Sequence, residues 1–323
     1  MKKFMTALVL ATAVSFTGCG NSTDFSSVAS LPGIAGPGVV VPPVPVPVIT
    51  GFFVDAALGS DTTGDFDTGA PFQTIQAAVA AAPAGSTITV RPGNYAGTVS
   101  LLDNQILQGE AGGVRPETTG PIILADGNTV DFFRVANAPG DAIDGNGQNS
   151  GTITNCEIDT TTNDGDGVAC DDASGTWNVS NNSVEGVDDI GIVFTASGTD
   201  TLTATINNNT VSNSGLGAIG LLSENTSQLS ASVKNNQMSV AGATQFEVIV
   251  ADDSVTCLDI EDNTNDDVYA FFEEDTPALL QIEQLSTLTD AQPGGAGNTG
   301  TVDITVGVGA ENPTEVANGF CGF

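Results

Sequence analysis

Five segments share one alternation of apolar and polar positions: "ITNCEI" (153–158), "VSNNSV" (179–184), "INNNTV" (206–211), "VKNNQM" (233–238) and "IEDNTN" (260–265). Each opens on an apolar β-branched residue. Two positions on stands Asn155, Asn181, Asn208, Asn235 or Asp262, at successive offsets of 26, 27, 27 and 27 residues. A second apolar run follows in every unit ("GVAC", "IGIVF", "AIGLL", "FEVIV", "VYAFF"), with Asn, Gly, Asp and Ser between the runs. Short period-2 runs separated by turn residues predict strands, and the spacing leaves no room for a long helix. A strand–turn–strand unit cannot bury its apolar face alone. Stacked coils can, with like residues one strand spacing of about 4.8 Å apart. The pattern predicts an all-β, single-stranded parallel β-helix, a solenoid in which the Asn row hydrogen-bonds up the stack as a ladder. A sandwich would need antiparallel hairpins with two-residue turns at closer spacing, and the chain has no such series.

Ahead of the repeats, Ile75, Ala78, Val79 and Ala82 fall at i, i+3, i+4 and i+7, the spacing of one helical face. A short helix there would cover the first coil, whose bare sheet edge would otherwise be open. The surrounding stretch, "FFVDAALGSDTTGDFDTGAPFQTIQAAVAAAPAGSTITVRPGNYAGTVSL" (52–101), carries "GSD", "PFQTIQAA", "AGSTITV" and "PGNY". In these elements it resembles the start of right-handed parallel β-helix proteins of the pectin-lyase-like superfamily. The resemblance covers most of residues 51–290 and implies a right-handed solenoid with "TIQAA" as a short N-terminal capping helix. It implies little about activity, because this fold hosts lyases, hydrolases, epimerases and adhesins. Residues 51–323 are read as the solenoid, with 51–85 as N-terminal cap and about 295–323 as C-terminal cap.

The chain opens with Lys2 and Lys3, an apolar run from Phe4 to Phe16, and small residues up to Cys19. That is the layout of a bacterial export signal, too short to span a bilayer permanently. "FTGC" (16–19) resembles the lipobox of bacterial lipoproteins. This implies a signal peptide over 1–18, a lipid on Cys19 and, with Gly20 rather than Asp following, the outer membrane, on its periplasmic or cell-surface face. An ordinary secretion signal cut nearby is the alternative. Over residues 19–50, six prolines between Pro32 and Pro47 remove amide donors and favour extended polyproline II, the composition of a semi-rigid tether. Four cysteines remain after Cys19: Cys156, Cys170, Cys257 and Cys321. In an oxidising compartment they allow up to two disulfides in any of three connectivities. With no His and no C-x-x-C pair, a metal site built on them is disfavoured.

Charge narrows the partners. Without the signal, four basic residues (Arg91, Arg115, Arg134, Lys234) face 39 acidic ones, a formal charge of −35. Such a surface repels nucleic acid, whose binding depends on Lys and Arg, and repels polyuronates as well. Neutral glycans, cations and cationic surfaces are left. A hydrophobic content of 40% argues for a packed core despite the charge.

The candidate chemistry centres on "EGVDDIGIVF" (185–194), where Asp188 and Asp189 precede an apolar run. In "NDGDGVAC" (163–170), Asp166 stands two residues before Val168, as Asp188 stands two before Ile190. If those strands stack, Asp166 and Asp188 are vertical neighbours with Asp189 beside them. The layout resembles polygalacturonase-type glycoside hydrolases of the same superfamily, which carry an N-T-D segment, a D-D pair about one coil later, G-H-G and R-I-K. Asn163–Asp166 stands at the first element and Asp188–Asp189 at the second. Leu216 of "SGLGAIG" occupies the place of the His, and no Arg-x-Lys follows. Those basic residues grip a uronate, so the implied substrate is a neutral or weakly charged polysaccharide. Hydrolysis itself needs two spaced carboxylates, one with a raised pKa.

Other readings compete with this one. Asp and Gly fill tight turns for backbone reasons alone. Asp61, Asp65 and Asp67, with Asp164, Asp171 and Asp172, supply hard oxygen ligands suited to Ca²⁺, though without an EF-hand or nonapeptide spacing. Trp177 and Tyr269 could form a sugar-stacking platform or simply pack in the core. The leading expectation is a surface-displayed lipoprotein whose β-helix binds a polysaccharide or a cell-surface partner, or acts structurally. The runner-up is a glycoside hydrolase.

Overall fold

The computed structural model describes residues 51–65, 70–162, 165–239, 244–265, 268–273, 278–288, 296–306 and 312–323. The export segment, Cys19 and the tether lie outside the described residues, as do Asp67 and Asp164. Described strands form three sheets of eleven, nine and eight strands, in which every pairing is parallel and joins successive coils. One coil runs through Thr201–Asn207 in the first sheet, Thr210–Ser212 in the second and Gly217–Ser223 in the third. The next repeats it through Gln228–Lys234, Gln237–Ser239 and Thr244–Val250, pairing Ile206 with Val233, Val211 with Met238 and Ile219 with Phe246. The protein is a parallel β-helix.

The repeat produces this stack because each coil points the same positions inward. Ile153, Val179, Ile206, Val233 and Ile260, which open the five repeat segments, form one buried row of the first sheet. Val168, Ile192, Ile219, Phe246 and Tyr269 form another in the third. Each such side chain contributes about 1.5–3 kcal/mol by leaving water.

The ladder is present but displaced by one residue from the predicted row. Asn155, Asn181, Asn208, Asn235 and Asp262 hold the corner between the first and second sheets, at φ 54–60°. That left-handed conformation suits Asn and Asp, whose short polar side chains tolerate it. The buried ladder is the residue after each: Asn182, Asn209, Asn236 and Asn263, continued by Asn298. Asn209 Oδ1 accepts the backbone and side-chain N–H groups of Asn182, both at 3.0 Å. Its Nδ2 donates to Val179 O at 2.9 Å and to Asn236 Oδ1 at 3.0 Å. Asn236 and Asn263 repeat the arrangement, so each buried amide is paired within the stack. Cys156 occupies this row one coil above Asn182 and donates its amide to Asn182 Oδ1 at 2.8 Å.

Both ends of the stack carry added structure. Helix Ile75–Ala81 buries Ile75, Ala78 and Val79, with Ala82 buried just behind, which is the face predicted from spacing. Thr74 caps its start by accepting the Ala77 amide at 3.2 Å. Gln105 fastens its far end to the coil below through Ala82 O at 2.8 Å. Toward the C-terminus, Thr301–Val306 and Thr314–Val316 extend the third and first sheets. The tail is pinned where buried Glu283 accepts the amides of Gly319 and Cys321, at 2.6 and 2.7 Å. One disulfide, Cys257–Cys321, joins the tail to the first sheet. Of the two disulfides that four cysteines allow, only this one forms; Cys156 and Cys170 are buried as free thiols on different sides of one coil, Cys156 just before its second-sheet strand and Cys170 at the end of its third-sheet strand.

Candidate functional site

The acidic residues gather at the corner between the second and third sheets, but in a different register from the one expected. Nine positions separate Asp159 from Val168, and seven separate their partners Glu185 and Ile192. The upper coil thus carries two extra residues at this corner. Asp166 consequently stacks over Ile190 rather than Asp188, and its Oδ1 accepts the Ile190 amide at 2.7 Å. One coil up, Asp141 does the same for the Asp166 amide, at 2.9 Å. Asp188 sits two residues away, exposed, with its amide donated to Thr161 Oγ1 at 2.9 Å. The Asp189 amide reaches Gly165 O at 3.2 Å, and the Leu216 amide returns to Asp189 O at 3.0 Å. Leu216, expected at the place of the polygalacturonase His, is 61% exposed.

The corner is closely stacked along the axis. A Cβ on Gly165 would come within 2.2 Å of Gly140 O, and one on Gly215 within 2.1 Å of Asp188 O. Glycine is required here by proximity, which explains the Gly-Asp composition without invoking chemistry. The electrostatics nevertheless perturb two groups. Burial raises the pKa of Asp166 to about 7, the Ile190 amide opposes this, and the carboxylates of Asp141, Asp189 and Asp171 add to it. Asp171 is also raised, by burial first and then by neighbouring acids including Asp141 and Asp172. Two clefts of about 190 Å³ lie elsewhere, one beside the N-terminal helix and one around Phe132; none of Asp166, Asp188 and Asp189 lines either.

The other expected sites are resolved by packing. Trp177 is fully buried, 5.9 Å from Phe194, and donates its indole N–H to Ser174 O at 3.0 Å. Its ring fills the space left by Gly145 and Gly151, where a Cβ would fall within 2.7 and 2.4 Å of indole carbons. Tyr269 is equally buried, 5.6 Å from Phe246. Neither is a sugar platform. Asp61 works as a local clamp: it accepts the amides of Gln73 and Thr74 and the Thr74 hydroxyl, all at 2.9 Å. Desolvation opposes its ionisation, but these donors prevail and hold its pKa below the usual range. Asp65 follows Asp61 in the same turn, its amide donated to Ala70 O at 2.8 Å. Asp171 and Asp172 donate their amides to Asn146 Oδ1 and Thr195 Oγ1, at 2.6 and 2.8 Å. Among the described residues, no group of three acidic or Cys side chains could hold a metal ion.

All four basic residues of the solenoid are already paired. Arg91 meets Asp55 and Glu110, Arg115 meets Glu157, and Arg134 meets Glu117, Glu157 and Asp159. Lys234 sits between Asp259 and Glu261, at 2.6 and 2.9 Å. An anionic ligand would have to displace one of these carboxylates. The residues that sequence reasoning missed are Asp141, which shares the acidic row, and the cleft around Phe132. A sign of the cleft was present: Phe132 precedes Phe133 where the later repeats carry Asn or Asp followed by Asn or, once, Cys. The chain matches no protein-family model, and no curated protein or solved structure matches it either.

Proposed function

We propose that the chain is an exported β-helix of the pectin-lyase-like kind, tethered to the outer membrane by a lipid on Cys19, that serves as a non-catalytic binding and structural scaffold. One observation carries this reading: the carboxylates at the candidate catalytic corner are engaged in holding coil to coil. Asp141 and Asp166 each accept a backbone amide from the coil below, which accounts for carboxylates at this corner without catalysis. Paired cations and a strongly negative surface direct the scaffold toward neutral glycans or cationic cell-surface partners. No helix among the described residues is long and apolar enough to cross a membrane, so in this reading attachment rests on the lipid. Cys19→Ser should abolish lipid labelling and move the protein from the membrane fraction to the soluble one. Membrane retention of that variant would overturn the anchoring.

The second reading, a glycoside hydrolase for a neutral polysaccharide, is favoured by one specific feature. Asp166 has the proton affinity that a general acid needs near neutral pH, with Asp189 as a charged neighbour.

A further inference from the structure

One residue breaks the pattern of the left-handed corner row. Asn155, Asn181, Asn208, Asn235 and Asp262 fill that position in the lower coils, whereas the coil above them has Phe132, at φ 59°. A bulky side chain there meets a steric penalty that Asn, Asp and Gly largely avoid, and such outliers persist where the surroundings hold them for another reason. Core packing is not that reason. Phe132 is half-buried, and Phe133 takes the inward place.

The Phe132 ring instead borders a cleft of about 190 Å³, lined also by Gly109, Ala111, Gly112, Asp131 and Asn155. Arg115 lies 4.8 Å from the ring centroid and is held by Asn155 O at 2.9 Å and Glu157 at 3.5 Å. Asp131 is fixed by donors from its own corner: Asn155 Nδ2 at 2.7 Å and Thr154 Oγ1 at 3.0 Å, both on Oδ1. A carboxylate can accept about four hydrogen bonds, so these two leave capacity for a ligand's donors.

The chemistry of the lining selects one class of ligand. Asp131 and the surrounding negative field repel anions. Arg115, whose guanidinium covers one face of the same ring, disfavours a second cation there. An uncharged group remains that offers an apolar face to an aromatic ring and hydroxyl donors to a carboxylate. A neutral sugar ring has both. The volume lies below the roughly 300–1,000 Å³ of sites that enclose drug-sized ligands, so one ring fits and the rest of a chain stays outside.

We propose that this cleft is a subsite for one ring of a neutral saccharide, with the face of Phe132 that Arg115 leaves uncovered as its stacking surface and Asp131 as its hydroxyl acceptor. The proposal rests on the reading of the solenoid as a binding scaffold and adds the place and ligand class. The test uses the full lipidated chain in a sugar-free zwitterionic detergent. It is screened against neutral oligosaccharides, with oligogalacturonate as the charged control, and the best neutral binder is titrated calorimetrically. Phe132→Asn, which installs the residue usual in this row, should weaken binding about thirtyfold, the loss of one aromatic anchor. Its melting temperature should stay level or rise, whereas a purely structural Phe132 predicts a fall. Ala111→Trp, in the exposed loop of the cleft, should block binding while leaving the core untouched, and it decides the matter if Phe132→Asn fails to fold. Unchanged neutral-sugar affinity in either folded variant overturns the subsite but leaves the scaffold reading standing. Failure of the parent chain to bind any neutral oligosaccharide overturns the subsite as well; the scaffold reading then stands or falls on pull-down of a cell-surface partner.

Discussion

Replacing Asp166 by Asn should stabilise the protein at pH 8 and do little at pH 4. The Asp166 carboxyl rises from the ordinary 3.8 to about 7, through burial first and then through Asp141, Asp189 and Asp171. The folded state therefore holds a proton that the unfolded chain releases near pH 4. Between those values folding takes up a proton, so stability falls as pH rises from about 4 through 7. At full burial the difference would amount to about 4 kcal/mol. The carboxyl is only partly buried, and solvent screening reduces this to about 1–2 kcal/mol. The carboxamide introduced by Asp166→Asn is uncharged at every pH, and its oxygen can still accept the Ile190 amide that Asp166 accepts at 2.7 Å. Thermal melts of parent and variant at pH 4 and pH 8 should differ by about 2–6 °C at pH 8 and nearly coincide at pH 4. A variant destabilised equally at both pH values would overturn this expectation, because it would mean that the charge is compensated within the corner.

The ladder and the corner row can be separated by neighbouring substitutions. Asn209→Ala removes the acceptor of the buried Asn182 backbone amide and the side-chain donors to Val179 O and Asn236 Oδ1 and should cost about 3–5 kcal/mol, whereas Asn208→Ala should cost only the left-handed backbone penalty of about 1–2 kcal/mol; equal losses in urea denaturation would contradict the assignment. Reducing Cys257–Cys321, which closes 64 residues, should lower stability by about 2–4 kcal/mol, while Cys156 and Cys170 stay unreactive to thiol reagents until the chain unfolds. Rapid labelling of either thiol in the folded protein would count against the buried placement.

The architecture was legible in the sequence because its period is regular and its inward row is β-branched. The spacing of Ile75, Ala78, Val79 and Ala82 likewise marked the buried face of the capping helix. The ladder was misread by one residue for a physical reason. Asn–Asn pairs stand at 181–182, 208–209 and 235–236, and both positions favour Asn, one for its backbone conformation and one for its carboxamide. Only the coils with Asn155–Cys156 and Asp262–Asn263 tell the two apart, and they point in opposite directions. The acidic corner was misaligned because its register depends on a two-residue difference in loop length, which no local pattern marks. Trp177 and Tyr269 read equally well as platform or core. Gly145 and Gly151, which make room for the indole, are distant in sequence and gain their meaning only when the coils stack.

Whether the acidic corner is architectural is decided by measuring sugar release from a panel of neutral polysaccharides, using the parent chain and Asp166→Asn, Asp188→Asn and Asp189→Asn. An architectural corner gives no release by the parent above a heat-denatured control, and folded variants with unchanged or higher melting temperatures. Release by the parent that disappears in Asp166→Asn or Asp189→Asn at unchanged thermal stability would contradict that role and establish the hydrolase.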